Sequence, residues 1–267
     1  MLIDTHAHIN GPEYDDDFGV VLDRAVANGV ERIICVGYDL PTSERAVALA
    51  QEDQRVYAAV GLHPNSVSEA PEGWERTLAR LADQPRVIAI GETGLDYYRD
   101  RTPGQQQRSA LRWHLDLADR LRLPVVIHNR NADEDVTREL LDWSRRRSSV
   151  GSPGVLHSFT GGPEMLRSCA EAGWAISFSG MVTFANKSLA YLAPLAAETP
   201  AEALLVETDS PYLTPAPFRG QRNEPARARL VAERLAAIRS VSLEEIADLT
   251  SRNAARVFPG LRDVRNV

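Results

Sequence analysis

The chain has 267 residues, of which 43% are hydrophobic and 25% charged, the ordinary balance of a globular protein. One α/β barrel of about 250 residues fills that length. A formal net charge of −7 excludes a domain that coats nucleic acid by bulk electrostatics, because that mode needs a basic surface.

Short apolar runs alternate with longer amphipathic stretches along the whole chain. In order the runs cover 2–5, 32–36, 56–60, 87–90, 125–127, 155–156, 175–178 and 204–206. They are continuous rather than alternating, as in parallel strands covered on both faces. Between them, residues 107–121 place Leu111, Leu115, Ala118 and Leu121 on one helical face. Stretches 137–143 and 165–172 behave alike, and two more helices, 226–238 and 243–258, follow the last strand. The second of these opens on Ser242 with Glu245 three residues on, a capping box. Eight strand–helix repeats and an additional C-terminal helix predict an α/β fold, a TIM (β/α)8 barrel, with a doubly wound open sheet as the alternative. No linker divides the chain, so a single domain over 1–267 is expected. The arginines at 145–147 read as a solvated helix end. Two cysteines, Cys35 and Cys169, exclude a disulfide scaffold. No apolar run is long enough to cross a membrane, and the N-terminus lacks the pattern of a signal peptide. A cytoplasmic monomer is the expectation.

The informative feature is where the histidines fall. Five of the six lie at or just past the C-terminal end of a predicted strand: His6, His8, His63, His128 and His157. Glu92 and Asp209 take the same place after the fourth and eighth strands. In a barrel these seven side chains ring one mouth, where active sites of this fold lie. His6 and His8 stand two apart on an extended strand and so point the same way. Each residue taken singly has a bland reading, as a hydrogen-bonded barrel histidine, a turn aspartate or a helix-capping glutamate. Structural histidines, however, have no reason to gather on one rim. Four imidazoles and two carboxylates are too many for one tetrahedral zinc. They suit two divalent ions with a carboxylate between them. The sixth, His114, borders the apolar stripe of its helix and reads as structural.

Asp4-Thr5-His6-Ala7-His8, Gly61-Leu62-His63-Pro64, Gly91-Glu92-Thr93-Gly94-Leu95-Asp96-Tyr97-Tyr98 and His157-Ser158-Phe159-Thr160-Gly161 resemble motifs of the TatD family. So do Glu207-Thr208-Asp209-Ser210-Pro211-Tyr212-Leu213 and Arg219-Gly220-Gln221-Arg222-Asn223-Glu224-Pro225. TatD proteins are metal-dependent hydrolases of the amidohydrolase superfamily, and several are DNases. The likeness runs from Met1 to about Phe258. It implies a TIM barrel holding two divalent ions, zinc, manganese or magnesium. Carried over residue by residue, it implies that His6, His8 and Asp209 hold one ion, that His128 and His157 hold the other, and that Glu92 bridges both. His63 resembles a contact to substrate or transition state. Against the family pattern, Gly11-Pro12 reshapes the first loop, His114 stands where glutamine is common, and Ser158 replaces a frequent cysteine.

The resemblance implies hydrolysis of DNA phosphodiester bonds, exonuclease-like, on single strands or strand ends. Asp209 would orient or deprotonate the attacking water, with Glu92 and His63 as the other catalytic candidates. Arg130 and Arg219 are candidate phosphate clamps, against the plain reading of surface arginines. Tyr98 and Tyr212 could stack on a base or merely pack the rim. The alternative activity is ester or amide hydrolysis, as in a D-aminoacyl-tRNA deacylase or a small-molecule amidohydrolase, which the acidic net charge suits. A third reading is a barrel that binds metal without catalysis.

Overall fold

The structure, a computed structural model, describes residues 1–99 and 101–262. The expected single unit over 1–267 therefore has its last five positions outside the described residues. Strands and helices alternate throughout. They are β1 (Leu2–Ala7), α1 (Phe18–Ala27), β2 (Val30–Val36), α2 (Leu40–Glu52), β3 (Val56–Val60) and α3 (Trp74–Ala82). There follow β4 (Val87–Asp96), α4 (Gly104–Leu121), β5 (Val125–Arg130), α5 (Asp133–Arg146), β6 (Gly154–Leu156) and α6 (Pro163–Glu171). The chain continues with β7 (Ala175–Phe178), α7 (Leu192–Glu198), β8 (Leu204–Val206), α8 (Ala228–Arg239) and α9 (Leu243–Val257).

The strands pair in parallel and in sequence order from β1 to β8, which excludes the doubly wound sheet. The ring closes where β8 runs on beside β1. The Asp209 N–H donates to the His6 carbonyl (2.9 Å) and the His8 N–H to the Ser210 carbonyl (2.6 Å). Side chains from alternate strand positions, among them Ile34, Tyr57, Ile88, Val126, Val155 and Leu205, form one buried cluster with Val257, Phe258 and Leu261. The additional helix α9 thus closes the floor of the barrel, leaving the C-terminal strand ends as the open mouth. Its capping box forms as the sequence predicts, with the Glu245 N–H donating to Ser242 Oγ (3.1 Å).

Strands β1, β2 and β5 extend two or three residues beyond the expected runs, and β4 departs most. β4 does not stop at Ile90 but runs on to Asp96, so Glu92 lies within it rather than after it. The apolar run ends at Ile90, and Gly91 and Gly94 carry no side chain that would extend it. In the fold they permit close approach. Gly94 has φ +151°, and a Cβ there would stand 1.9 Å from the His128 carbonyl oxygen. The β4–β5 register shifts between Ile90 and Thr93, and the β1–β2 register shifts between Asp4 and Ala7. Such irregularities re-aim side chains, and here they bracket Glu92 and His6.

Candidate metal centre

Seven side chains converge at the mouth. His6 Nε2 and His8 Nε2 are 3.1 Å apart. Asp209 Oδ1 lies 3.7 Å from the first and 3.4 Å from the second. Glu92 occupies the middle. Its Oε2 is 3.6 Å from both His6 Nε2 and His8 Nε2. Its Oε1 is 2.8 Å from both His128 Nδ1 and His157 Nε2, and 3.7 Å from His63 Nε2. Three combinations bring their donor atoms within 4.8 Å of one another: His6 with His8 and Asp209, His6 with Glu92 and His157, and His63 with Glu92 and His128.

These spacings fit shared cations. Ligand atoms about 2.1 Å from a common ion stand roughly 3.0–3.4 Å from one another in octahedral or tetrahedral geometry. The N···O distances around His6, His8 and Asp209 are too long for hydrogen bonds, yet close to that spacing. The donors are all nitrogen and oxygen, the set that suits zinc or manganese.

The outward nitrogens of the imidazoles are held from behind. His8 Nδ1 donates to the Val36 carbonyl (2.8 Å). His128 Nε2 faces Asp96 Oδ2 at 3.5 Å, and His157 Nδ1 faces Glu207 Oε1 at 3.4 Å. Asp96 is anchored in turn by Asn65 Nδ2 (2.8 Å) and the Arg99 N–H (2.9 Å). Glu207 accepts from the Ser158 N–H (2.6 Å). Such partners fix ring orientation around metals. Sequence reading missed Asp96, Glu207 and Asn65. A partial signal was present in spacing: Asp96 follows Glu92 by four positions, two alternations along the same strand, and Glu207 precedes Asp209 by two.

Charge is concentrated here. Burial opposes ionisation of Glu92, but His157, His63 and the hydrogen bonds from His128 and His157 hold its acid well below the ordinary value. Burial opposes Asp209 likewise, and the neighbouring imidazoles of His8 and His6 keep it low. His157 is raised well above its ordinary value, its burial outweighed by Glu92 and Glu207. His6 is lowered by burial and by His157. His63 is pushed down to about 3 by burial and His128. One acid behind the cage behaves differently. Asp4 is fully buried, which pushes it up to about 8 despite hydrogen bonds from the Thr208 side chain and backbone.

The remaining expected residues divide. Arg130 ends β5 two residues past His128, opposite Asp96 in the β4–β5 register. Its guanidinium lies 3.9 Å from the centre of the Tyr98 ring, which is 62% exposed. Arg219 packs over Phe184 at 3.7 Å and donates to the Thr214 carbonyl (3.0 Å); none of its hydrogen bonds reaches the cage. Neither arginine makes an ion pair among the described residues. The Tyr212 ring stands 6.1 Å from that of His8 and is 54% exposed. His114 is structural, as expected: it lies inside α4, accepting from the Leu62 N–H (3.1 Å) and donating to the Ala110 carbonyl (2.7 Å). No helix among the described residues is long and apolar enough to cross a membrane.

Comparison with known proteins identifies the family. Residues 3–259 match the family model described as TatD related DNase. The chain is 43% identical over 258 residues to the uncharacterized metal-dependent hydrolase YabD of Bacillus subtilis, covering 97% of this chain and 99% of that one. It is 33% identical over 263 residues to a protein of Salmonella typhimurium named 3'-5' ssDNA/RNA exonuclease TatD, with 96% and 98% covered. Among solved structures it resembles YJJV, a TatD homolog from Escherichia coli K12, with a TM-score of 0.88, 31% identity, and 97% and 98% of the two chains covered. The chain with this histidine- and carboxylate-lined mouth belongs to the TatD family of metal-dependent hydrolases.

Proposed function

We propose that the protein hydrolyses phosphodiester bonds of single-stranded nucleic acid, working from strand ends, with two divalent ions at the mouth. The observation that carries this reading is Glu92, whose two carboxylate oxygens face two separate sets of imidazoles. His6, His8 and Asp209 would hold one ion, His128 and His157 the other, and Glu92 both. When bound, zinc, manganese or magnesium ions supply Lewis acidity to a phosphoryl oxygen and bring the pKa of water down towards about 7.

The protein's own residues divide the remaining work. The Asp209 side chain is 13% exposed against 4% for Glu92, so it is the carboxylate that can both orient a water and accept its proton. His63 Nε2 faces the same space and touches the substrate. Arg130 presents a guanidinium backed by Tyr98, a pairing that suits a phosphate with a neighbouring base. Arg219 and Tyr212 extend the rim along which a strand would lie. Nucleic acid as substrate agrees with the Salmonella relative named as a ssDNA/RNA exonuclease. Two buried free thiols, Cys35 and Cys169, fit work in the reducing cytoplasm.

Incubation with end-labelled single- and double-stranded DNA and RNA, plus Mg²⁺ or Mn²⁺, tests the proposal. Stepwise shortening of single strands is expected, lost in Glu92→Ala and Asp209→Asn. Cleavage no faster than in those variants overturns it. The net charge of −7 favours, as a second reading, an aminoacyl ester or small amide as the bond cleaved. Faster turnover of aminoacyl esters than of oligonucleotides would select it.

A further inference from the structure

One imidazole of the cage is set the opposite way from the rest. In the turn after β3, the backbone N–H of Asn65 donates to His63 Nδ1 (3.0 Å), with His63 capping the 3-10 turn Pro64–Glu69. A nitrogen that accepts carries no proton, so this bond exists only with a neutral ring whose proton sits on Nε2. Turning the ring over would put a carbon against the Asn65 N–H and forfeit the bond. His8 shows the contrary case. Its Nδ1 faces the Val36 carbonyl at 2.8 Å, and a carbonyl only accepts, so the proton sits on Nδ1 and Nε2 offers a lone pair inward. His128 and His157 also have acceptors at their outward nitrogens, the Asp96 and Glu207 carboxylates. Of the cage imidazoles, only His63 has a donor behind it.

The geometry points to His63 as a neutral N–H donor to an anionic substrate oxygen and not a metal ligand, latched in that tautomer by the backbone of Asn65. A ring that spends the Nδ1 lone pair on Asn65 could coordinate through Nε2 only as an imidazolate. The grouping of His63 with Glu92 and His128 is therefore no ion site, despite its spacing. Among the described residues no acceptor competes for the Nε2–H. Glu92 Oε1 is 3.7 Å away, beyond hydrogen-bond reach, and the His63 side chain is 18% exposed, which leaves room for a substrate oxygen. Asn65 is itself immobilised, its amide donating to Asp96 Oδ2 (2.8 Å), so the latch is tied to the strand that carries Glu92. Placement of a donor where negative charge develops is among the largest single contributions to catalysis.

The substrate half of this inference rests on the proposed nuclease reading; the tautomer does not. Three measurements on the full chain loaded with Zn²⁺ or Mn²⁺ separate them. Long-range ¹H–¹⁵N correlation on the Zn²⁺-loaded, histidine-labelled protein is expected to show His63 protonated at Nε2 and bare at Nδ1. Ion content after desalting is expected to be the same in the native chain and His63→Ala, and reduced in His157→Ala. Turnover of a labelled single strand is expected to fall about 10²–10³-fold in His63→Ala and to recover in part in His63→Gln, whose amide restores an N–H. A bare or metal-shifted Nε2, or loss of an ion with His63→Ala, overturns the assignment. Retained ions with unchanged turnover in His63→Ala overturns the donor role. If the native chain holds ions but cleaves no nucleic acid, the proposed function fails, and the spectra and ion counts still decide the tautomer.

Discussion

His114 makes a prediction whose size follows from its surroundings. The ring is wholly buried, accepts from the Leu62 N–H (3.1 Å) and donates to the Ala110 carbonyl (2.7 Å). Protonation would bury a charge and set two N–H groups against each other. Burial, only partly offset by the Ala110 bond, pushes its pKa from 6.5 down to about 4. The folded value is the depressed one, so the stabilisation is fully present above pH 6.5 and is lost as pH falls towards 4. At about 1.4 kcal/mol per pH unit the loss saturates near 3 kcal/mol, a sizeable part of a typical folding free energy of about 5–15 kcal/mol. His114→Gln keeps an acceptor and a donor on the side chain and does not titrate. Urea denaturation of both chains, repeated from pH 7.5 to 4, isolates the effect, because the cage histidines titrate equally in each. The native chain is expected to lose about 3 kcal/mol more than the variant across that interval. Parallel curves would show that the ring is not held neutral, and the argument from burial would fail.

The other predictions concern the cage and its approach. Gly94→Ala must part β4 from β5, because its Cβ would meet the His128 carbonyl at 1.9 Å; a loss above about 3 kcal/mol, hence a melting point lower by roughly 10 °C, is expected, and a change within about 2 °C would refute it. Asp96→Asn and Glu207→Gln are each expected to weaken divalent-ion affinity about 10–100-fold by titration calorimetry; unchanged affinity would mean that these carboxylates do not orient His128 and His157. Single-strand binding by Asp209→Asn should weaken only about sevenfold between 50 and 200 mM salt, a log–log slope near −1.4 for two arginine–phosphate contacts at about −0.7 each. Arg130→Ala should remove about half of that slope, and a slope steeper than about −4 would refute a contact made by two arginines alone.

Much of the site was legible because strand ends in this fold are both sequence landmarks and one place in space. Residues 2–5 and 125–127 read as apolar runs, the strands run on to Ala7 and Arg130, and the histidines at their ends face the mouth. Glu92 was placed after its strand, whereas β4 runs on through it to Asp96, because Gly91 and Gly94 break the apolar run without ending the strand. A one-dimensional reading cannot show that β5 backbone stands where a β4 side chain would be. The outward partners were harder still. Asp96, Glu207 and Asn65 matter through contacts with residues far away in sequence, 31 positions for Asn65 to Asp96 and 49 for Ser158 to Glu207, and spacing along the chain does not identify such partners.

The mouth is also where the fold spends stability. Ser158 and Asp209 adopt positive φ, +42° and +56°, at about 1–2 kcal/mol each for non-glycine residues, and each adjoins or is a cage residue. His6 Nε2 and His8 Nε2 face each other at 3.1 Å over two carboxylates kept ionised in a buried space. The barrel floor, sealed by Val257, Phe258 and Leu261, offsets these costs at a distance from the chemistry. A cage preorganised against its own repulsion returns stability when cations enter: an ion at one hundred times its dissociation constant adds about 2.7 kcal/mol. His63 should stand outside that linkage. His63→Ala is expected to gain as much stability from added Mn²⁺ as the native chain does, whereas His157→Ala gains less, because of these two rings His157 alone turns a lone pair inward. An equal shortfall in both variants, read from thermal melts with and without the ion, would show that the Asn65 latch does not distinguish donor from ligand.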